Sequence, residues 1–183
     1  MRRLLLAAVA SLAMASALSA CKDETASVRP DPVTMTEEAV GHFCQMYVLD
    51  HAGPKAQIHL AGFDKPLFFS QVTDGVAYLK GIERDGDITA IYVSDMAAAR
   101  SWGEPGADNW IDATNAVFVI NSAQPGGMGL PEAIPFASQE KAEAFIRAKG
   151  GMAVSLDAIP DAYVRPPQDM TASIGADTPA APQ

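Results

Sequence analysis

The chain of 183 residues has two cysteines, Cys21 and Cys44, and the place of the first decides how the rest can be held together. Residues 1–20 read MRRLLLAAVASLAMASALSA: Arg2 and Arg3 form a positive n-region, Leu4 to Ala17 an apolar h-region, and small residues follow. That is the pattern of a secretory signal peptide, and its apolar run is short for a membrane span. It ends in Leu18-Ser19-Ala20-Cys21, the form of a bacterial lipobox, so Cys21 is expected to become the lipidated N-terminus. One acyl chain binds a membrane marginally and several hold stably. The mature protein is therefore expected in the periplasm, held on a membrane by its lipid. Lys22 stands where an aspartate would signal inner-membrane retention, which points to the outer membrane. Cys44 is left without a partner in its own chain. A disulfide cannot then staple the fold, and the core must suffice; the mature chain's roughly 140 structured residues are enough for one compact domain or two small ones.

Charge narrows the partners. Without Arg2 and Arg3 the chain carries 11 basic residues against 22 acidic ones, a net charge of −11. Nucleic-acid affinity rests on neutralising phosphates with Lys and Arg, so no nucleic-acid partner is expected. An acidic surface suits a cation or a basic protein face.

Hydrophobic periodicity gives the organisation. Residues 22–33 (KDETASVRPDPV) read as a flexible tether, which with the lipidated cysteine spans 21–33. Phe43–Leu49 alternates and reads as a strand, His51–Pro54 as a turn, and Lys55–Ala61 as a second strand with Ala56, Ile58 and Leu60 on its core face and His59 on its solvated face. Ser70 is expected to cap a helix bearing Val72, Val76 and Leu79 on one stripe and ending at Gly81; a strand follows at Asp87–Asp95. The second half repeats the order: strands at Asn115–Asn121 and Ala133–Phe136, a helix capped by Ser138 with Ala142, Phe145 and Ile146 on its stripe, and a strand at Met152–Ala158. Phe68-x-Ser70 and Phe136-x-Ser138 match in spacing. The expected class is α+β, two similar ββαβ subdomains packed together with small antiparallel or mixed sheets, at 34–96 and 115–164. A connector at 97–114 carries Trp102 and Trp110 as wedges between them, and a Pro- and Ala-rich disordered tail occupies 165–183.

The chemistry is sparse, and its sparseness is informative. The mature chain has three histidines, His42, His51 and His59, and no nucleophile elbow, P-loop or dinucleotide fingerprint, so an enzyme is not expected. Structural zinc asks for four nitrogen or sulfur ligands in close pairs, and calcium for an acidic loop; neither pattern is present. Monovalent copper is different, being soft and partial to thiolate and thioether. On a strand, Cys44-x-Met46 would place two sulfurs on one face. A further thioether, Met128, lies in PGGMG, residues 125–129, where glycines let the loop approach another surface. Met96 and Met152 are read as core, and Met35 as part of a flexible end. His42 and His51 flank the C-x-M stretch, and either could add a nitrogen donor. The site residues expected are thus Cys44, Met46 and Met128 for Cu(I), with Cys21 for lipid. Two other readings stand beside this one: a metal-free adaptor or scaffold lipoprotein docking on a periplasmic enzyme, and a thiol redox protein using Cys44.

The stretches GHFCQMYVLDHAGPKAQIHL, IYVSDM, DATNAVFVINS and GGMG together resemble the NosL family, accessory lipoproteins of nitrous oxide reductase, over about residues 36–160. The resemblance implies two ββαβ subdomains and a periplasmic copper(I) chaperone. Its implied partners are an upstream periplasmic copper donor and the apo form of nitrous oxide reductase, whose copper-sulfide centre it supplies. It carries Cys44 over as the thiolate and Met128 as the thioether of the MG loop. The family motif reads C-G-M, and Gln45 departs from it.

Overall fold

The computed structural model describes residues 29–165. The signal peptide, Cys21, Lys22 and the rest of the tether up to residue 28, and the tail from 166 onward, Met170 included, lie outside the described residues.

The first half is built as β1 (Ala56–Leu60), β2 (Leu67–Phe69), helix α1 (Val72–Lys80) and β3 (Ile88–Ser94); the second as β5 (Val117–Ile120), β6 (Ile134–Phe136), helix α2 (Gln139–Lys149) and β7 (Met152–Val154). Between them β4 (Trp110–Asp112) joins the first sheet, and a short helix α3 (Asp161–Val164) closes the described chain. The strand orders are β2-β1-β3-β4 and β6-β5-β7, with every neighbour antiparallel. This is the α+β class with the ββαβ order in both halves. The connector is not plain linker, because Trp110–Asp112 pairs with Tyr92–Ser94 of β3.

The halves share one core. Ile58 and Leu60 of β1, Phe69 of β2, Val72 and Val76 of α1 and Val93 of β3 are buried with Phe118 and Ile120 of β5 and Ala133, Leu156 and Ile159 from the second half. Burying such a side chain contributes about 1.5–3 kcal/mol, so the shared core ties together the two halves that carry the candidate donors. A smaller cluster joins Val119, Ile134, Phe136 and Ala142, with Phe145, Ile146 and Trp102 packed against it. Ser138 caps α2, its Oγ accepting from Lys141 N at 3.4 Å.

Several expectations are overturned here. The stretch 43–49 is not a strand. Gly41 N donates to Met46 O at 2.8 Å and Gln45 N to Gly41 O at 2.8 Å, so the chain folds back on itself. Gln45 supplies the reversal with φ 55°, a left-handed conformation uncommon for a non-glycine residue. Residues 67–69 take the place of the missing strand. Register then aligns Phe69, opposite Ala56, with Phe136, opposite Val117, so the repeat is offset by one residue from the expected Phe68 match.

Ser70 does not cap α1 either: the cap position is Gln71, with no side-chain cap of its own. The last strand stops at Val154. His59 is buried, because residues 29–33 are docked over that face of β1 rather than free. Val33 exchanges two hydrogen bonds with the Gln57 amide, at 2.8 and 2.9 Å, and Tyr92 OH donates to Pro30 O. His59 Nε2 lies 2.9 Å from Gln57 Oε1, and burial, with Arg29 second, lowers its pKa. Met35 is buried with Ala39 and Val48. Met96 is packed against the smaller cluster, whereas Met152 is exposed.

Candidate metal centre

The folded-back segment 41–47 sets Cys44 inward and Met46 outward. Cys44 is half-buried, a free thiol whose Sγ lies 3.3 Å from Ser70 Oγ. The hydroxyl expected to cap the helix is turned to the thiol instead. Met46 is exposed beside Val40, Tyr47, Asp50 and His51 around a surface depression. The period-two argument that placed both sulfurs on one face therefore does not hold on this backbone.

Met128 arrives from the other half. Its loop crosses to the start of α1, where Met128 N donates to Gln71 Oε1 at 3.3 Å. Gly127 presses on the turn at 51–53 so closely that a Cβ there would stand 2.1 Å from Ala52 O. Cys44 and Met128, 84 positions apart, are thus fastened to the consecutive residues Ser70 and Gln71. The Met128 side chain remains partly exposed.

The two candidate nitrogen donors differ. His42 stacks edge-on against Phe69 and Tyr78, and its Nε2 lies 3.5 Å from Asp85. His51 is the residue before Ala52, and its buried Nε2 has no hydrogen-bond partner. A lone ring nitrogen at the rim of the cysteine turn can accept a soft cation, whereas His42 is already engaged. No group of three or more His, Cys, Asp or Glu side chains converges among the described residues. Thiol, thioether and imidazole nitrogen are the donor types a soft cation uses, and Cys44, the Met128 loop and His51 supply one of each around the start of α1 and the adjoining turn.

Beneath the site lie two buried charges that the sequence reading missed. Lys55 is wholly buried, and its Nζ donates to His51 O at 2.7 Å, Ala52 O at 3.1 Å and Ser70 O at 3.2 Å. Burial lowers its pKa to about 8, against the attraction of Glu132 and Cys44. Glu132 is 1% exposed, and its Oε1 accepts from Thr73 N, Thr73 Oγ1 and Ala133 N. It therefore supplies, from the second half, the N-terminal cap that α1 lacks. Oε2 is buried without a partner, and burial pushes the carboxyl up to about 7. Charged residues at strand edges are usually solvated, and neither Lys55 nor Glu132 carries a local signal to the contrary.

The Glu132 geometry makes a pH prediction. An acid whose folded pKa is raised contributes stability below its unfolded value of about 4.5, and loses it as the pH rises through about 7. Urea unfolding of the apo protein is expected to show Glu132→Gln gaining about 3 kcal/mol on the wild type between pH 4.5 and 8. A constant difference across that window would show that Glu132 titrates as an ordinary carboxylate.

The fold and site define a class: a small two-unit α+β protein in which a free thiol from one unit and a methionine loop from the other are fastened at one helix start. The chain belongs to the NosL family, whose model matches residues 32–164. It is 50% identical over 162 residues, 87% of this chain and 83% of the other, to the copper-binding lipoprotein NosL of Achromobacter cycloclastes. It is 28% identical over 136 residues, 74% of this chain and 69% of the other, to the copper-binding lipoprotein NosL of Stutzerimonas stutzeri. The crystal structure of the copper chaperone NosL from Shewanella denitrificans superposes with a TM-score of 0.66 at 29% identity, covering 73% of this chain and 99% of that one. These relatives carry the names of metal-binding and chaperone proteins, and none is named as an enzyme.

Proposed function

We propose that the protein is a Cu(I) metallochaperone, anchored by lipid on Cys21 to the periplasmic side of the outer membrane. It takes copper from an upstream periplasmic donor and supplies it for the copper-sulfide centre of apo nitrous oxide reductase. What supports this reading is that the Cys44 thiol and the Met128 backbone are held by the consecutive residues Ser70 and Gln71, in a family whose relatives are named for copper.

Cys44 is the thiolate ligand, Met128 the thioether, and His51 the nitrogen donor through its unpartnered Nε2. Met46, exposed at the edge of the same turn, is the thioether that copper meets on the way in or out. Copper(I) accepts low coordination numbers, so one ligand can be exchanged for an acceptor's before the next is released. The acidic surface favours a cationic cargo over an anionic one.

The test is an anaerobic Cu(I) titration against a chromophoric chelator. The wild type is expected to bind one equivalent, and Cys44→Ser to weaken it by three orders of magnitude or more, about 4 kcal/mol. Binding unchanged in Cys44→Ser would overturn the site. A wild type with no Cu(I) bound tighter than about micromolar would make the protein an adaptor instead. Transfer of the bound copper to the apo-reductase, followed by growth of the centre's absorption, tests the recipient.

A further inference from the structure

The Met128 loop is fastened to α1 by two buried polar side chains, and each of them reaches across to the other half of the molecule. Gln71, 1% exposed, sits at the cap position of α1 but caps nothing there; its Oε1 accepts from Met128 N. Glu132, equally buried, lies at the far end of the same loop and caps the helix of the other half. Thr73 completes the clasp: its Oγ1 reaches Pro131 O at 3.3 Å and accepts from Ala133 N at 3.1 Å. Between the two anchors Gly126 is boxed in, since a Cβ there would stand 2.7 Å from Gln71 Oε1 and 3.2 Å from Glu132 Oε2.

A serine or aspartate at position 71 would cap α1 locally and at less cost than a carboxylate buried with one oxygen unpartnered. What the longer route achieves is to fix the loop of one half to the helix of the other. The fixed point is the helix start where Ser70 meets the thiol. We infer that Gln71 and Glu132 are positioning residues of the cargo site: they hold Met128 against the Cys44 side, so that the two halves present their sulfurs as one preformed pair. The inference rests on the copper reading of that site. It goes further in assigning the site's geometry to two residues that touch no metal. Outer-shell partners of metal ligands typically change affinity by about 10–100-fold when removed.

The experiment uses the protein with its methionine methyl groups labelled with carbon-13, and Ag(I) as a redox-inert monovalent probe. In the wild type, one equivalent of Ag(I) is expected to shift the Met128 methyl signal. In Glu132→Ala the affinity should fall at least about ten-fold and the Met128 shift should vanish, while binding that Cys44→Ser abolishes persists. Glu132→Gln, whose amide oxygen can accept the same three donors, should restore the shift. Gln71→Leu leaves the Glu132 clasp intact and should also lose it, which covers the case in which Glu132→Ala does not fold.

Thermal unfolding separates positioning from bulk stability. A lower Tm with a wild-type Met128 shift and affinity, in either variant, overturns the inference. So does a Met128 shift lost in Glu132→Gln as fully as in Glu132→Ala. A wild type that binds Ag(I) through Cys44 with the Met128 methyl unmoved overturns the inference and leaves Cys44 in place. A wild type that binds none overturns the copper reading as well.

Discussion

Replacing Lys55 with methionine is expected to destabilise the apo protein by about 3–5 kcal/mol, the usual cost of removing one partner from a buried charged network. The side chain is wholly enclosed, and its ammonium is the donor for three carbonyls, those of His51, Ala52 and Ser70. Methionine matches the stem in length and apolar character but has no N–H. Each carbonyl left dry would cost about 1–3 kcal/mol, and relaxation or an entering water would recover part of that. Relief from burying a charge, visible in the pKa lowered to about 8, offsets a further part. Even so, the loss is a large fraction of the about 5–15 kcal/mol that holds an ordinary domain together.

The pH dependence carries a second signature of the same residue. A base with a depressed folded pKa recovers stability as the pH climbs from about 8 towards about 10.5, and Lys55→Met should lack that rise. Urea unfolding at pH 7 and pH 10 would check both. A loss under about 1 kcal/mol would mean that the three carbonyls find water as readily as they find lysine.

Why the sequence spoke clearly about some of this and not the rest follows from the range of the forces involved. The α2 helix is legible because its cap, stripe and terminal Gly150-Gly151 are all local. The run IYVS of β3 is legible because a buried strand needs β-branched and aromatic residues in one stretch. The turn at 41–47 is not, since Phe43, Gln45, Tyr47 and Leu49 imitate strand alternation. What breaks the pattern is a left-handed Gln45, a conformation that glycine would have announced. The glycine that the resemblance implies at that position was the clue, since glycine fits a backbone that needs positive φ.

His59 was misplaced for a different reason. Alternation shows which residues share a face, but not whether another segment lies over it. Here residues 29–33 cover the Gln57–His59 face, and the two side chains satisfy each other and Val33. Glu132 escaped notice because Thr73, which it caps, lies 59 positions away; Lys55 did because its neighbours His51 and Ala52 offer only backbone carbonyls and Ser70 comes from 15 positions on. Cys44 and Met128 could be proposed as donors from chemistry alone; that their segments are both fastened to the start of α1 is a property of the tertiary fold.

Gly127→Ala should separate those two donors without altering either of them. The added methyl would stand 2.1 Å from Ala52 O and 3.0 Å from Ala52 C, contact with backbone that no side-chain rotation relieves. One of the two segments must move, and the turn is the less free. Gly53 N donates to Trp102 O, the Trp102 ring stands 2.9 Å from where a Gly53 Cβ would be, and Ala52 O is held by Lys55. The loop at 125–129 is fastened more lightly near its tip, through Met128 N to Gln71, so it is the loop that lifts. The expected cost in stability is about 1–3 kcal/mol, the range for overpacking. The expected loss in Cu(I) affinity is about 10–100-fold, because Met128 is carried away from Cys44. Gly129→Ala is the control: φ is +79° there and nothing lies within 4 Å, so it should lose about 1–2 kcal/mol to backbone strain and keep its copper. Chelator competition on the two variants decides the matter. Equal copper affinities would mean that the approach of this loop to the cysteine turn serves packing, and that Met128 reaches copper, if at all, by another path.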